Sequence, residues 1–421
     1  MPENISTSAK TRSLLIIVLA IAVCIEVLSN TFLLHKGNLY WVPFSYFAAG
    51  LLIALIPLFK PAPGNIKSGI TKLNISRIYS LLFFIALVIF MVIRARELFL
   101  ENPVDYKYAD MLPVIQVMCE RFIHHQPVYA PIGEIWEGIQ PIYLPVLWLS
   151  YLPAVLFGVD IRWMSVLFLI VTCFLILKPY KSHALSVVLL WAPLSIVIIY
   201  IFYFGYNTII LTEEAPVILF HVLLGYALIK KKPVFIGITL SLCLLSRYII
   251  TMWVPCMLIY MFISGNRKAV WKIMISSAVC VGVLMFISGA IYHIDLFIHL
   301  PSAYIDSLYL PENINTHNGI ISSGLSFAKF IAYEDLGTLT KLLPWICLTS
   351  GLFTILAAYI FKLRNISTFL LSSLKIYLVT FFALISIPYP YLFFTCTFFS
   401  LVIFEEYLNR QYNLKPAVAK T

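Results

Sequence analysis

Apolar residues run almost unbroken over long stretches of this chain, and polar residues collect in the gaps between them. Residues 14–34 (LLIIVLAIAVCIEVLSNTFLL) make one such run, and 77–93 (RIYSLLFFIALVIFMVI) belong to another. About 20 mainly apolar residues let an α-helix cross the hydrocarbon core of a bilayer. On that measure crossings are predicted near 14–34, 41–60, 77–97, 160–178, 183–203, 209–229, 233–247, 248–264, 272–292, 341–361, 368–387 and 390–408. These are about twelve, within a range of about 11–13, and they define an all-α polytopic membrane protein. Residues 1–421 read as a single integral membrane domain. The neighbours 233–247 and 248–264 are short for full spans and fit a broken hairpin. No internal repeat is visible.

Charge orients the pattern. Lysine and arginine cluster between the runs: Lys10/Arg12, Lys60/Lys67/Lys72/Arg77, Lys178/Lys181, Lys230/Lys231/Lys232, Arg267/Lys268/Lys272, Lys362/Arg364 and Arg410/Lys415/Lys420. Basic loops stay on the cytoplasmic side. Both termini then lie inside, and Arg77 to Lys178 must contain an even number of crossings. The apolar stretch 141–157 (PIYLPVLWLSYLPAVLF) is therefore predicted not to span. Pro145 and Pro153 interrupt it, as suits an interfacial or re-entrant segment. Two long outer loops result, a first over 98–159 and a second over 293–340, and most of the acidic residues fall on that outer side. Long loops rich in aromatic and apolar residues are expected to fold and to carry function.

Composition narrows the class. The 421 residues are 61% hydrophobic and 11% charged, with a net charge of +10. In such a chain the excess of positive charge reads as cytoplasmic loops against a lipid bilayer, not as a nucleic-acid site. The 8 cysteines are scattered through apolar runs without metal-ligand or disulfide-framework spacing. The first run follows a basic segment but no small-x-small site clearly ends it, so it reads as a retained first helix. A multi-pass protein of a bacterial inner (plasma) membrane is the expected setting. The sequons at Asn4, Asn74 and Asn365 fall on the cytoplasmic side and carry little information.

Candidate chemistry concentrates in Tyr108–Tyr129 (YADMLPVIQVMCERFIHHQPVY). After Asp110, apolar residues fall at 111, 114, 115, 118 and 122, and polar ones at 116, 120, 121, 124 and 125, which is helical spacing with one apolar face. Asp110 precedes the first turn, where it could serve as an N-cap and also as a base. His124 and His125 belong to the polar face and the end of that helix.

Asp110 with its following helix, His125-Gln126-Pro127-Val128-Tyr129, and the proline-bearing Ile142-Tyr143-Leu144-Pro145-Val146 together resemble the first extracytoplasmic loop of the C-superfamily (GT-C) membrane glycosyltransferases. The likeness is to the polyprenol-phosphate-mannose-dependent mannosyltransferases in particular. Their loop has an aspartate past a membrane helix, a juxtamembrane helix, a Gly-x-x-Pro-Tyr-like turn and a Tyr-Pro-Pro-Leu-like helix. Here the glycine is missing, one residue separates Pro127 from Tyr129, and only one proline follows Tyr143. The resemblance implies a GT-C-like fold and inverting transfer of a hexose, mannose-like, from a polyprenyl-phosphate-linked donor to a glycolipid or glycan acceptor at the outer face.

That chemistry asks for a base at the acceptor hydroxyl, for which Asp110 is the first candidate, Asp105 the second and His317 a possible assistant. It asks for a cation at the donor phosphate, and Arg247 in LLSRYII suits one because its planar fork bonds two oxygens. Pairing of Arg247 with Glu213 or Glu214, in LTEEAPV at a helix mouth, is the open alternative. Tyr129, Tyr143, Asn318 and Tyr391 are candidate walls for the sugar. No ligand set demands a metal, so no cofactor is expected, although a divalent metal is not excluded. A secondary transporter is the competing class, and it would favour charges near mid-membrane and repeat symmetry. A lipid-linked polysaccharide polymerase or ligase is a closer rival. Glu26, inside the first run, is not assigned to the site and is open to pairing with a neighbouring helix.

Overall fold

The computed structural model describes residues 3–33, 39–58, 73–135, 138–177, 184–299, 324–331, 335–360 and 365–412. Among these the chain is almost wholly helical, with no strand beyond one isolated antiparallel bridge between Ile132 and Ile139. Each of the twelve predicted crossings coincides with a helix. In the first half these are α1 (Glu3–Asn30), α2 (Trp41–Leu55), α3 (Leu73–Glu101), and, after three short helices α4 (Met111–Ile123), α5 (Pro145–Leu149) and α6 (Leu152–Leu156), α7 (Arg162–Leu177) and α8 (Ala184–Tyr203). A single turn, α9 (Asn207–Ile210), leads into α10 (Glu214–Lys230), α11 (Pro233–Leu244), α12 (Trp253–Ile263) and α13 (Arg267–Ile287). The last three are α14 (Leu336–Ile360), α15 (Ile366–Leu384) and α16 (Phe393–Tyr412).

Among the described residues seven helical stretches are long and apolar enough to cross a membrane: Ser13–Asn30, Trp41–Leu58, Ile78–Glu101, Arg267–Ile287, Leu336–Ile360, Ile366–Leu384 and Pro390–Gln411. Four others, Arg162–Leu177, Val188–Tyr203, Pro233–Leu244 and Trp253–Ile263, are apolar but shorter. Burial separates centre from edge. The spans of α15 and α16 are 78% and 89% buried, while those of α3 and α13 are 22% and 11% buried. The outlying helices show isoleucine, leucine and phenylalanine outward, including Ile89, Ile93, Ile275 and Phe286. A surface of that kind suits lipid and not water.

Close helix approach follows from small residues, as expected where lipid gives little hydrophobic drive to association. At Gly237 on α11, an added Cβ would collide with Ser276 and with the carbonyl of Ile273 on α13. Ser241 and Ser277 hydrogen-bond across the same contact at 2.9 Å.

Between α3 and α7 the chain builds a second, smaller core. Leu112, Val114, Ile115, Met118 and Cys119 of α4 pack with Trp148 and Tyr151 of the 141–157 segment. The apolar face of α4 is thus covered by its own neighbours. At a rise of about 1.5 Å per residue, five-residue helices fall far short of a hydrocarbon core about 30 Å thick, so neither α5 nor α6 spans. Arg162 fastens this layer to the bundle. Its side chain is 2% exposed, meets Asp160 at 2.5 Å, and donates to the carbonyls of Phe99 and Asn102 at the end of α3.

Candidate functional site

Five separate elements deliver charged and aromatic side chains to one place beneath the α4–α6 layer. Asp110 comes from the start of α4 and Tyr143 from the approach to α5. Glu213 and Glu214 open α10, and Arg247 lies in the break between α11 and α12. Tyr389 and Tyr391 precede α16.

The break that carries Arg247 is fixed on both sides. Val146 N–H donates to the carbonyl of Leu245 (3.0 Å), and the Tyr377 hydroxyl donates to that of Ile249 (2.8 Å). Arg247 itself is extended, at φ −154° and ψ 147°, so its side chain leaves the helical path of α11. Nη2 lies 2.6 Å from Glu213 Oε1 and 3.1 Å from Glu214 Oε2. The alternative left open by the sequence is therefore the arrangement found: Arg247 is paired with both glutamates. Thr395 of α16 donates to Glu214 Oε1 at 2.5 Å. The Arg247 guanidinium lies over the Tyr391 ring, 5.9 Å from its centre, and Tyr389 stacks on Tyr391 at 5.4 Å.

The pairing is incomplete. Glu213 Oε2 and Arg247 Nε are buried and have no hydrogen-bond partner, and Glu214 Oε2 has only its ion-pair contact with Nη2. Unmet buried polar atoms are costly, and a native structure that keeps them needs a reason.

Asp110 stands at the N-cap position of α4, but its carboxylate makes no cap hydrogen bond; only its carbonyl serves the helix, accepting from Val114 N–H at 2.8 Å. The sequence expectation of a capping carboxylate is corrected on this point. The carboxylate acts electrostatically on Glu213, Tyr143 and Tyr389 instead. Next to it, the Tyr391 hydroxyl reaches Met111 Sδ at 3.7 Å. Burial raises the Asp110 carboxyl above the ordinary aspartate range, with its own backbone N–H pulling the other way. Burial, then the nearby Glu213 and Asp110, hold the Tyr143 phenol well above its usual value. Two carboxylates thus face one guanidinium, with the Asp110 carboxylate near Glu213 and Tyr143.

Other sequence candidates lie elsewhere. Asp105 accepts from the backbone N–H of Lys107 at 3.0 Å and closes a local turn away from the cluster. Tyr129 is not an open wall of the carboxylate site. It is 2% exposed, donates to the carbonyl of Tyr143 at 3.3 Å, and accepts from Trp148 Nε1 at 3.1 Å. It acts as a brace behind Tyr143. His317 and Asn318 lie outside the described residues. Among the described residues no three His, Cys, Asp or Glu side chains are grouped as a metal ion would need.

Two features escaped sequence reasoning. One is the partner of Glu26, which was open to pairing with a neighbouring helix: Lys375 Nζ lies 2.9 Å away on α15, both side chains fully buried. A lone lysine within the apolar run 368–387 was the available signal. His221, on α10 two turns beyond Glu214, is fully buried; its Nδ1 lies 2.8 Å from the carbonyl of Val217 and its Nε2 meets no partner. Compared with protein-family models, curated proteins and solved structures, the chain matches none of them.

Proposed function

We propose that the chain is a membrane glycosyltransferase that moves a hexose from a polyprenyl phosphate to a glycolipid or glycan acceptor at the outer membrane face. The observation that carries this reading is the Asp110 carboxylate. It is half-buried, not engaged in capping its helix, and lies beside the glutamate that pairs with an incompletely satisfied arginine.

Asp110 accepts the proton of the acceptor hydroxyl as its oxygen bonds to the anomeric carbon. The bond from that carbon to the phosphate oxygen breaks, and the electron pair leaves with polyprenyl phosphate. One displacement inverts the configuration and needs no carboxylate nucleophile. Arg247 takes a narrower part than the sequence suggested. Glu213 and Glu214 already hold Nη2, so the unmet Nε–H is what it offers a phosphate oxygen. Tyr143 and Tyr391 flank the cluster with aromatic faces. The left-handed turn at His125, φ +56°, adds support, because the resembling loops carry a glycine in that turn.

A second reading has its own observation. The Glu26–Lys375 pair lies deep among the helices, where a secondary transporter would keep charges.

The test uses purified protein in nanodiscs with a synthetic polyprenyl-phospho-hexose, followed by release of polyprenyl phosphate and by sugar transfer to extracted envelope glycolipids. Turnover in wild type and its loss in Asp110→Asn is the expected result. No turnover in wild type, or full turnover in a folded Asp110→Asn, overturns the reading. Solute uptake into proteoliposomes that is lost in Lys375→Met would favour transport instead.

A further inference from the structure

A cavity of about 320 Å³ opens between the turn after α4 and the end of α13, on the far side of Tyr129 from the carboxylates. His125, Gln126, Tyr129, Ser288, Tyr292 and His293 supply its polar and aromatic lining. We infer that this cavity binds a neutral sugar unit of the acceptor, one that does not itself react. The inference rests on the transferase reading.

The lining chooses the ligand class. Two imidazoles and a carboxamide both donate and accept hydrogen bonds, which matches the hydroxyls of a pyranose, while the Ser288 hydroxyl is held by the Met285 carbonyl and the Ala290 N–H. Among the described residues no lysine, arginine, aspartate or glutamate lines the cavity, so a phosphate or an ammonium group finds no fixed countercharge there. A hydrocarbon chain would leave the polar groups unmet. Tyr292 is 79% exposed and offers a flat aromatic face, while Tyr129 forms an inner wall with His293 and Phe297 at 5.3 and 5.5 Å. The volume falls near the lower end of the roughly 300–1,000 Å³ usual for small-molecule sites.

Position supports the same occupant. The ring of Tyr129 belongs to the cavity, and its hydroxyl holds the backbone of Tyr143, which stands in the carboxylate cluster. Tyr248, the residue after Arg247, donates to the carbonyl of Phe297 at 3.5 Å. The cavity therefore lies one layer of side chains from Asp110. A glycan entering the site would pass over it. Gly289 leaves open space where a Cβ would stand, and its φ of +72° turns the chain so that Tyr292 and His293 follow directly.

The experiment is saturation-transfer NMR on the full chain in nanodiscs, with methyl α-mannoside, methyl β-glucoside and methyl β-galactoside as probes and empty nanodiscs as control. At least one glycoside should give signal with wild type and with Asp110→Asn. That signal should fall about fivefold or more in Tyr292→Ala and in Gln126→Ala, and return in Tyr292→Phe. Absence of signal in wild type overturns the proposal. So does a signal that survives the Tyr292→Ala/Gln126→Ala double variant; Tyr292 is then an interfacial anchor. Tyr292-dependent binding without any sugar transfer defeats the transferase reading but leaves a sugar site; transfer without Tyr292-dependent binding defeats the cavity alone.

Discussion

Glu26 and Lys375 meet inside the helical bundle with nothing left over, whereas Arg247 and its carboxylates keep atoms in reserve. Lys375 Nζ has three acceptors, Glu26 Oε1 at 2.9 Å, the Cys396 carbonyl at 3.1 Å and Cys396 Sγ at 2.9 Å, matching the three protons of an ammonium. The second oxygen of Glu26 accepts from Ser400 at 2.9 Å. The Arg247 cluster instead leaves Glu213 Oε2 and Arg247 Nε without partners, and Glu214 Oε2 with only its ion-pair contact. Both groups are shielded from water, so both bear a desolvation cost. A closed group has offset that cost within the protein and reads as a lock between α1, α15 and α16. An open one reads as a site whose last partners come from a ligand. The transporter reading loses force here, because a saturated ion pair offers a passing solute no free hydrogen bond.

The largest expected effect sharpens the open side. Asp110→Asn should lower kcat/KM by about 10²–10⁴-fold, the usual worth of a positioned base. Its unfolding midpoint should stay at the wild-type value, because the carboxylate makes no cap hydrogen bond. A midpoint that falls together with activity would turn Asp110 back into a structural residue.

Next comes the closed side. Lys375→Met leaves Glu26 buried and unpaired, which should cost about 3–5 kcal/mol of stability. Adding Glu26→Leu should recover most of it, since an apolar pair needs no compensation. Denaturation of both variants in nanodiscs checks this, with transfer per folded molecule unchanged in the double variant. A double variant as unstable as the single would break the contrast between the two groups.

Glu214→Gln is a finer probe. The amide keeps the size of the side chain and a partner for Thr395, but removes one of the two charges on Arg247. A hydrogen bond to a charged group is worth about 1.5–3 kcal/mol, so a change of roughly tenfold or more in the KM for donor is expected. Glu213→Gln should resemble it. If neither change alters the KM for donor, Arg247 has no part in holding phosphate.

The pH profile carries a smaller signal with a definite sign. A general base works ionised, so the rate rises with pH through its pKa. Burial raises the Asp110 carboxyl, so the acid limb of kcat/KM should lie above the ordinary aspartate value of about 3.9. An acid limb at the ordinary value, or one that persists in Asp110→Asn, would assign it to another group.

The helices were legible because their signal is repeated many times: each is a run of apolar residues bounded by polar or basic gaps. Proline at 145 and 153 marked where that segment would break into α5 and α6. The site was legible only in part. Asp110, Glu213, Glu214, Arg247 and Tyr391 could be chosen one by one as charges or aromatics at helix ends, but no local pattern says that residues 110, 213 and 247 meet. Lys375 shows the converse limit. A single lysine hardly dents the hydropathy of its run, and its meaning depends on Glu26, 349 positions away in sequence. Asp105 shows a local arrangement its run did not announce, since its carboxylate accepts from the backbone two residues ahead.

The smallest effect concerns His125, and it joins stability to function. Helix α4 ends with Gln126 N–H donating to the Arg121 carbonyl at 2.7 Å and His125 N–H to that of Phe122 at 3.2 Å. In this helix ending the residue at His125 takes a left-handed conformation, and glycine is its usual occupant. Holding a non-glycine residue there costs roughly 1–2 kcal/mol, partly regained because glycine loses more chain entropy on folding. His125→Gly should therefore stabilise the protein by up to about 1 kcal/mol. If the imidazole is kept for the neighbouring cavity, the same variant should weaken glycoside binding while raising the unfolding midpoint. A variant that gains stability and loses no binding would show that the histidine stands there without use to the cavity. One that loses stability would show that its ring contacts outweigh the strain of the turn.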